Sequence, residues 1–344
     1  MGFIDEIKQQ PETLLNLLRK YKADNTNASK LAALIKERNI SEFIFTGMGS
    51  SCFAGYAAST LLLKKGVKAR VYEAKELTCA GINAVGNESM LFLVSQSGTC
   101  KEILDFCKEH LTNGQHNAAV ITNNPDKPLY QYGEVKFPMC AGEEFTTANK
   151  TYTNTIASLL YICNIILECK GLKPYNFYGL ASECAEIMKD LAYANSDEMA
   201  DFFASAEYIC HVGGGASFST ASQSGLITEE AGKMFATCYS PAQFLHGPVE
   251  LIDNRFHTIA FDFSNDHREE TDRVIDNILT YGGKICLITN RDIKIDNDRL
   301  LCIEIPFENE FYAPLVEIIP VELFINHIGL QRGLNPGVLT RVKK

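Results

Sequence analysis

No two of the twelve cysteines stand in a C-x-x-C spacing, and no two of the seven histidines in an H-x-x-x-H spacing. Those gaps argue against a dithiol redox motif and against the usual zinc sites, so no metal is expected. Cys107, Cys163, Cys210, Cys286 and Cys302 fall inside apolar runs, where a reduced thiol serves as a small hydrophobe. A basic excess is also missing. With 32 Lys and Arg against 42 Asp and Glu, the net charge of −10 is the wrong sign for a nucleic-acid partner. No long run of like charge suggests a polyelectrolyte arm. The longest apolar stretch, Ile156 to Leu167, carries Ser158, Cys163 and Asn164 and is too short to cross a bilayer. The opening residues are charged from Asp5 and hold no apolar signal region. A cytoplasmic protein without membrane or nucleic-acid partners is the expectation.

What is present is an ordinary globular composition, 46% hydrophobic and 22% charged, over 344 residues, enough for about two domains. Short apolar runs alternate with helical patterns. Phe43–Thr46, Met90–Val94, Ala118–Thr122 and Val135–Pro138 read as strands, with helices over Ser51–Lys64, Cys100–His110 and Thr151–Lys170. The alternation restarts after the segment GLKPYNFYG. Tyr208–Val212, His257–Asp262, Lys284–Thr289 and Leu301–Ile305 are strands. Ser219–Lys233, or Ser222–Phe235, is a helix, and Phe311–Arg332 is mostly helix. Such alternation means parallel strands with crossover helices. The expected fold is α/β, with two similar units of five mostly parallel strands each. The expected boundaries are 1–30 for an N-terminal helical segment, 31–175 and 195–332 for the two units, and 333–344 for a tail. A single large doubly wound sheet is the alternative.

Two strand ends are rich in glycine and hydroxyls. Gly47-Met48-Gly49-Ser50-Ser51 follows the first strand and opens a helix, where unpaired amides and the helix dipole favour an anion. A dinucleotide reading of the same loop lacks its third glycine, since Cys52 stands there, and only Glu73 is a weak candidate for the acid. Ser95-Gln96-Ser97-Gly98-Thr99-Cys100 offers three hydroxyls and a glycine before another helix. That suits a phosphate monoester, whereas a plain helix cap needs a single Ser or Thr.

Taken together, these residues resemble the sugar isomerase (SIS) family. The pair Gly49–Ser51 and Ser95–Gly98 is similar to its sugar-phosphate cradle, and the likeness covers nearly the whole chain. Phe3 to Leu14, FIDEIKQQPETL, resembles the opening of the isomerase half of glucosamine-6-phosphate synthase. Ala148-Asn149-Lys150-Thr151-Tyr152-Thr153 resembles the A-S-T-K-x-F-T helix start of that group, and Phe244–Asp253 its H-G-P-x-x-L-I-D segment. The resemblance implies a fold of two tandem SIS domains, a sugar-phosphate ligand, no cofactor, and a homodimer whose site is shared between subunits. It implies that Gly49, Ser50, Ser51, Ser95, Gln96, Ser97 and Thr99 bind substrate. Cys100 stands where the family has Ser or Thr, and Ala148 where the synthase has a sugar-contacting serine, with Thr147 as a possible substitute. Lys150 and Arg341 complete the expected binding set. Asn149, Tyr152 and Glu308–Tyr312 are candidates for contact with a leaving group.

The same resemblance makes Glu230 the proton-transfer base and His246 the ring-opening acid, roles that a carboxylate and an imidazole can fill when tuned apart. Glu229 and Glu230 point about 100° apart on a helix, so only one can face a cleft. By default a helix glutamate is solvated and a His-Gly-Pro turn is structural. Departures from the synthase are informative. Its lysine one turn before the glutamate is Ile227 here, its earlier glutamate is Gln223, and its C-terminal lysine is Arg341, which stays charged. No glutamine-hydrolysing domain is expected either, and the apolar Ile227 with the doubled glutamate of Thr228-Glu229-Glu230-Ala231 looks more like the fructosamine-6-phosphate deglycases. An aldose–ketose isomerase or aminosugar-phosphate deaminase is the alternative. A sugar-phosphate sensor is another, although no basic helix-turn-helix is visible.

Overall fold

The computed structural model describes residues 2–81, 85–111, 117–193 and 197–341. Met1, positions 195–196 of the expected second domain and positions 342–344 of the tail lie outside the described residues. Packing divides the chain into two units. One holds Glu12–Glu143 and Lys150–Ser182. The other holds Met1–Pro11, Glu144–Asn149 and Glu183–Lys344.

The elements run α1 (Phe3–Ala23), α2 (Thr26–Glu37), β1 (Glu42–Gly47), α3 (Ser50–Lys64), β2 (Lys68–Glu73) and α4 (Ala74–Ala80). Next come β3 (Ser89–Val94), α5 (Lys101–His110), β4 (Ala118–Thr122), β5 (Val135–Pro138), α6 (Lys150–Cys169), α7 (Phe177–Leu191) and α8 (Asp197–Phe202). The second alternation is β6 (Tyr208–Gly213), α9 (Ser217–Glu230), β7 (Phe235–Tyr239), α10 (Pro241–Leu245), β8 (His257–Asp262) and α11 (Arg268–Thr280). It closes with β9 (Lys284–Thr289), β10 (Leu300–Glu304) and α12 (Pro314–Gln331).

Each unit is built on one parallel five-stranded sheet, in the orders β2-β1-β3-β4-β5 and β10-β9-β8-β6-β7. Counted from its own first strand, the second sheet repeats the first, with β6 in the place of β1 and β8 in that of β3. The central strands β3 and β8 are buried at every residue. That explains their unbroken apolar runs, because both faces of a parallel sheet are covered by crossover helices. Edge strands β2 and β7 are half-exposed, which is why no apolar run announced them. The helices α6 and α12 are apolar almost all round and correspondingly buried. Polar groups inside α6 are satisfied locally: Thr155 donates to the Thr151 carbonyl at 2.6 Å and Ser158 to that of Asn154 at 2.8 Å.

Two sequence readings need correction. The helix expected to reach Lys233 or Phe235 ends at Glu230, and Phe235 starts β7. Ala231 caps it, Gly232 follows, and Lys233 adopts a positive φ of 51°, a backbone turn that no helix continues. Cys302 is exposed on edge strand β10, whereas Cys107, Cys163, Cys210 and Cys286 are buried as core thiols. Among the described residues no helix is long and apolar enough to cross a membrane.

Candidate active site

In the first-sheet unit the two candidate loops leave the C-terminal ends of β1 and β3. These strands pair in register, Thr46 beside Leu93, so the loops start one strand spacing apart, about 5 Å. The β1 turn is tight. A Cβ on Gly47 would sit 2.8 Å from the backbone carbon of Ser51, so only glycine lets the chain fold straight into α3. Gly49 caps α3 at φ 50°. Ser51, Cys52 and Phe53 spend their amides within the turn, on the carbonyls of Met48 and Gly49. The Gly49 and Ser50 amides find no acceptor among the described residues.

The second loop is held from below. The Gln96 carbonyl accepts from the Asn123 amide at 3.2 Å and from Asn124 Nδ2 at 3.0 Å, while Leu129 N–H donates to the Gly98 carbonyl at 3.1 Å. Ser95 Oγ accepts the Gly98 amide at 3.2 Å, and Thr99 Oγ1 donates to Ser97 Oγ at 3.0 Å. Gly98 has a φ of 66°, and a Cβ there would lie 2.8 Å from Lys127 Cβ and 3.2 Å from Thr122 Oγ1. The Gly98→Ala protein is expected to lose about 2 kcal/mol of stability to strain and overpacking. Urea unfolding checks it; wild-type stability in the variant would mean that the loop accommodates the methyl group without strain.

Cys100 departs from its neighbours. Its thiol donates to Glu102 Oε2 at 3.2 Å, and burial first, with Glu102 as a lesser cause, pushes its pKa up to about 11. Glu102 is held below the usual carboxylate range by its own backbone amide, with the thiol adding to it. A charged carboxylate therefore sits in the first turn of α5, where an incoming anion would compete with it.

The counterpart loops of the second sheet are filled. A Cβ on Gly214 would collide with the His267 ring at 2.5 Å, and one on Gly215 would lie 2.9 Å from Ser264 Oγ. Ser217, which occupies the place of Ser51 in the repeat, donates to the buried Glu317 carboxylate at 2.9 Å, and Thr220 donates to the same group. Burial raises Glu317 to about 7, against the opposing pull of those two hydroxyls.

Also in the second-sheet unit, Glu230 is the last residue of α9 and half-exposed, while Glu229 beside it is exposed. Burial of its surroundings still raises the Glu229 pKa. Gln223 lies two turns before Glu230 on the same face, about 10 Å along the axis. Its Nε2 donates to the Ala148 carbonyl at 2.9 Å, so α9 holds the loop carrying Thr147 and Ala148. Thr147 Oγ1 and Gln223 Oε1 are buried and lack protein partners among the described residues. Thr147 N–H donates to the Gly337 carbonyl at 3.0 Å, and Arg341 lies exposed four residues beyond. His246 ends α10, exposed, between Gln243, whose carbonyl accepts its amide, and Gly247 at φ 141°. Ile227 is fully buried. Lys150, Tyr152 and Tyr312 are buried too, and Glu308 is exposed.

Sequence reasoning passed over Glu6. Its only signal is position: it falls with Phe3, Ile7 and Gln10 on the buried stripe of α1, where an acid is out of place.

A family model described as "SIS domain" matches residues 34–165 and 202–328. A glutamine–fructose-6-phosphate aminotransferase (isomerizing) of Francisella tularensis is 23% identical over 96% of this chain and 56% of its own length. The chain thus spans about half the length of the curated relatives it matches. The solved C-terminal domain of the glucosamine-fructose-6-phosphate aminotransferase from Francisella tularensis superposes with a TM-score of 0.82 at 21% identity, covering 98% of both chains. Tagatose-6-phosphate ketose/aldose isomerase from Escherichia coli superposes at 0.80 with 19% identity, covering 100% of this chain and 97% of its own.

Proposed function

The chain belongs to the SIS domain family, with two copies of the domain in tandem, and from that membership we propose that it is a phosphosugar enzyme, a fructosamine-6-phosphate deglycase. The Gly49–Ser51 and Ser95–Thr99 loops take the phosphate. His246 protonates the ring oxygen to open a 1-amino-1-deoxy-ketose 6-phosphate. Glu230 removes a proton from C1, giving an enaminol, and a proton returned to C2 gives the imine. Water adds to the imine carbon and the C–N bond breaks, leaving an aldose 6-phosphate and a free amine. Each step is a proton transfer or hydrolysis and balances with water alone. The observation that carries the choice of chemistry is the buried Ile227 one turn before Glu230, which leaves no amine at that place. The exposure of His246, Phe235 and Leu251 in the segment after α9 supports a homodimer in which a second copy covers this face.

Incubation with fructosamine 6-phosphates, glucosamine 6-phosphate and fructose 6-phosphate tests the reading, with released amine and aldose 6-phosphate measured by chromatography. Amine is expected only from the fructosamine adducts. Conversion of the other two sugars without any release from the adducts would replace it by an isomerase or deaminase. Binding without turnover of any would leave a sensor. Within this reading Cys100 weakens the phosphate site. Cys100→Thr is expected to lower KM about fivefold, the worth of one hydroxyl hydrogen bond of about 1 kcal/mol, with kcat unchanged. An unaltered KM would show that the residue makes no contact with phosphate.

A further inference from the structure

The opening segment FIDEIKQQP has no place in the chemistry above, yet it carries a fully buried carboxylate. Glu6 Oε1 accepts the Phe145 amide at 2.6 Å. Its Oε2 accepts the Thr146 amide at 3.3 Å, the Thr146 hydroxyl, and Asn149 Nδ2 at 3.4 Å. No cation pairs with it among the described residues. The whole charge is therefore balanced by four donors of one short loop, and burying an ion so is costly unless those donors are fixed. The same loop is pinned on its other sides: the Asn149 amide to Glu144 at 3.1 Å, the Ala148 carbonyl to Gln223, and the Thr147 amide to Gly337. Glu6 alone holds three residues of the loop, Phe145, Thr146 and Asn149, through one carboxylate buried in α1.

We propose that Glu6 is a positioning residue: its carboxylate fixes the 145–149 loop relative to α9, and so sets where Thr147 and Ala148 stand with respect to Glu230. The proposal rests on the reading that these two loop residues meet the reactive end of the sugar. A glutamine in the same place has one acceptor oxygen instead of two. Its NH2 group would face either the Phe145 amide or the Thr146 donors, a clash of donor with donor. The loop must then shift, and displacement of about 1 Å at a reacting centre costs on the order of 100-fold in rate.

The test compares wild type with Glu6→Gln, Glu6→Asp and Thr146→Val as full chains. For Glu6→Gln, kcat on a fructosamine 6-phosphate is expected to fall about 100-fold with KM within about twofold, since the phosphate loops lie elsewhere in the sequence. Glu6→Asp, which keeps both oxygens, should recover part of the rate, and Thr146→Val, which removes one donor, should lose about tenfold. Circular dichroism and gel filtration verify folding, and if Glu6→Gln fails to fold, Thr146→Val decides. A folded Glu6→Gln with wild-type kcat overturns the proposal, as does a loss confined to KM. Should wild type turn over none of the sugars, the functional reading falls instead. The clamp is then judged by hydrogen–deuterium exchange of the 143–150 peptide. Faster exchange in Glu6→Gln upholds the loop-fixing role, and unchanged exchange overturns it.

Discussion

Glu230→Gln should lower kcat on the substrate by about three orders of magnitude, the range for removal of a general base positioned at carbon. Sugar-phosphate affinity should stay within about twofold, because nothing in the Gly49–Ser51 or Ser95–Thr99 loops is altered. The substitution is nearly isosteric at a half-exposed helix end, so stability should not move. Glu229→Gln is the matched control. It changes the neighbouring carboxylate, about 100° away around α9, and should leave kcat within a factor of about two. Reversal of the two effects would transfer the role to Glu229, and equal rates for both would place the base outside α9. Mixing Glu230→Gln with His246→Ala protein adds a test of subunit sharing. If a partner supplies the histidine, half of the randomly formed dimers have one of two sites intact, and about one quarter of wild-type activity returns. If both groups act within one subunit, mixing restores nothing.

Those experiments lean on parts of the molecule that differ in how openly the sequence displays them. The turns after β1 and β3 were legible as strand-to-helix turns because their signal is local: hydroxyls and glycines packed into five positions between an apolar run and a helix. The expected bounds of β4, β8 and β9 coincide with the structure for a related reason, since interior strands covered on both faces are apolar almost throughout. Edge strands carry no such obligation. β7, FATCY, is half-exposed along its length and follows α9 after a link of only four residues, too short for periodicity to part strand from helix. The long-range parts of the site left less trace. Glu6 meets Thr146 across 140 positions, and Gln223 meets Ala148 across 75. Only the misplaced polarity of Glu6 within an apolar stripe hints at a partner. The Cys100–Glu102 contact, by contrast, spans two residues and was readable in principle.

The internal repeat makes the clearest separation between inherited fold and working site. Gly47 and Gly213 end equivalent strands, each followed four residues later by a serine pressed against it. In the first-sheet unit that serine, Ser51, stands at a loop with unspent amides. In the second-sheet unit Ser217 is consumed by a carboxylate of the chain itself, and His267 fills the space over Gly214. One copy of the turn keeps unspent amides, and the other has become core.

That conversion to core predicts a pH dependence of stability. Glu317 is raised to about 7 in the folded chain, chiefly by burial, against an ordinary value near 4.5. The folded state keeps its proton while the unfolded chain has lost it, so stability falls as pH rises from about 4.5 to 7, by about 3 kcal/mol. His211, buried in β6 with Nε2 3.1 Å from Thr228 Oγ1, is depressed by burial to about 3 from 6.5. It stays neutral while the unfolded chain gains a proton, so its contribution is complete above pH 6.5. That contribution shrinks as pH falls toward 3, by up to about 5 kcal/mol. Between about pH 4.5 and 6.5 the slopes of these two groups are opposite, and Glu322, also raised by burial, adds to that of Glu317, so the wild-type profile does not separate them. Single substitutions expose them. Glu317→Gln should be more stable than wild type by up to about 3 kcal/mol at pH 8, and the difference should vanish near pH 4. Ser217 and Thr220 can turn their hydroxyls to serve the amide. His211→Leu should lose the acid-side slope because it removes the titrating imidazole, and it leaves no orphan, since Thr228 Oγ1 still donates to the Ser224 carbonyl at 2.7 Å. Urea unfolding from pH 3.5 to 8 reads both. If Glu317→Gln is less stable than wild type at pH 8, the charged carboxylate is stabilised by its hydroxyl partners more than burial penalises it.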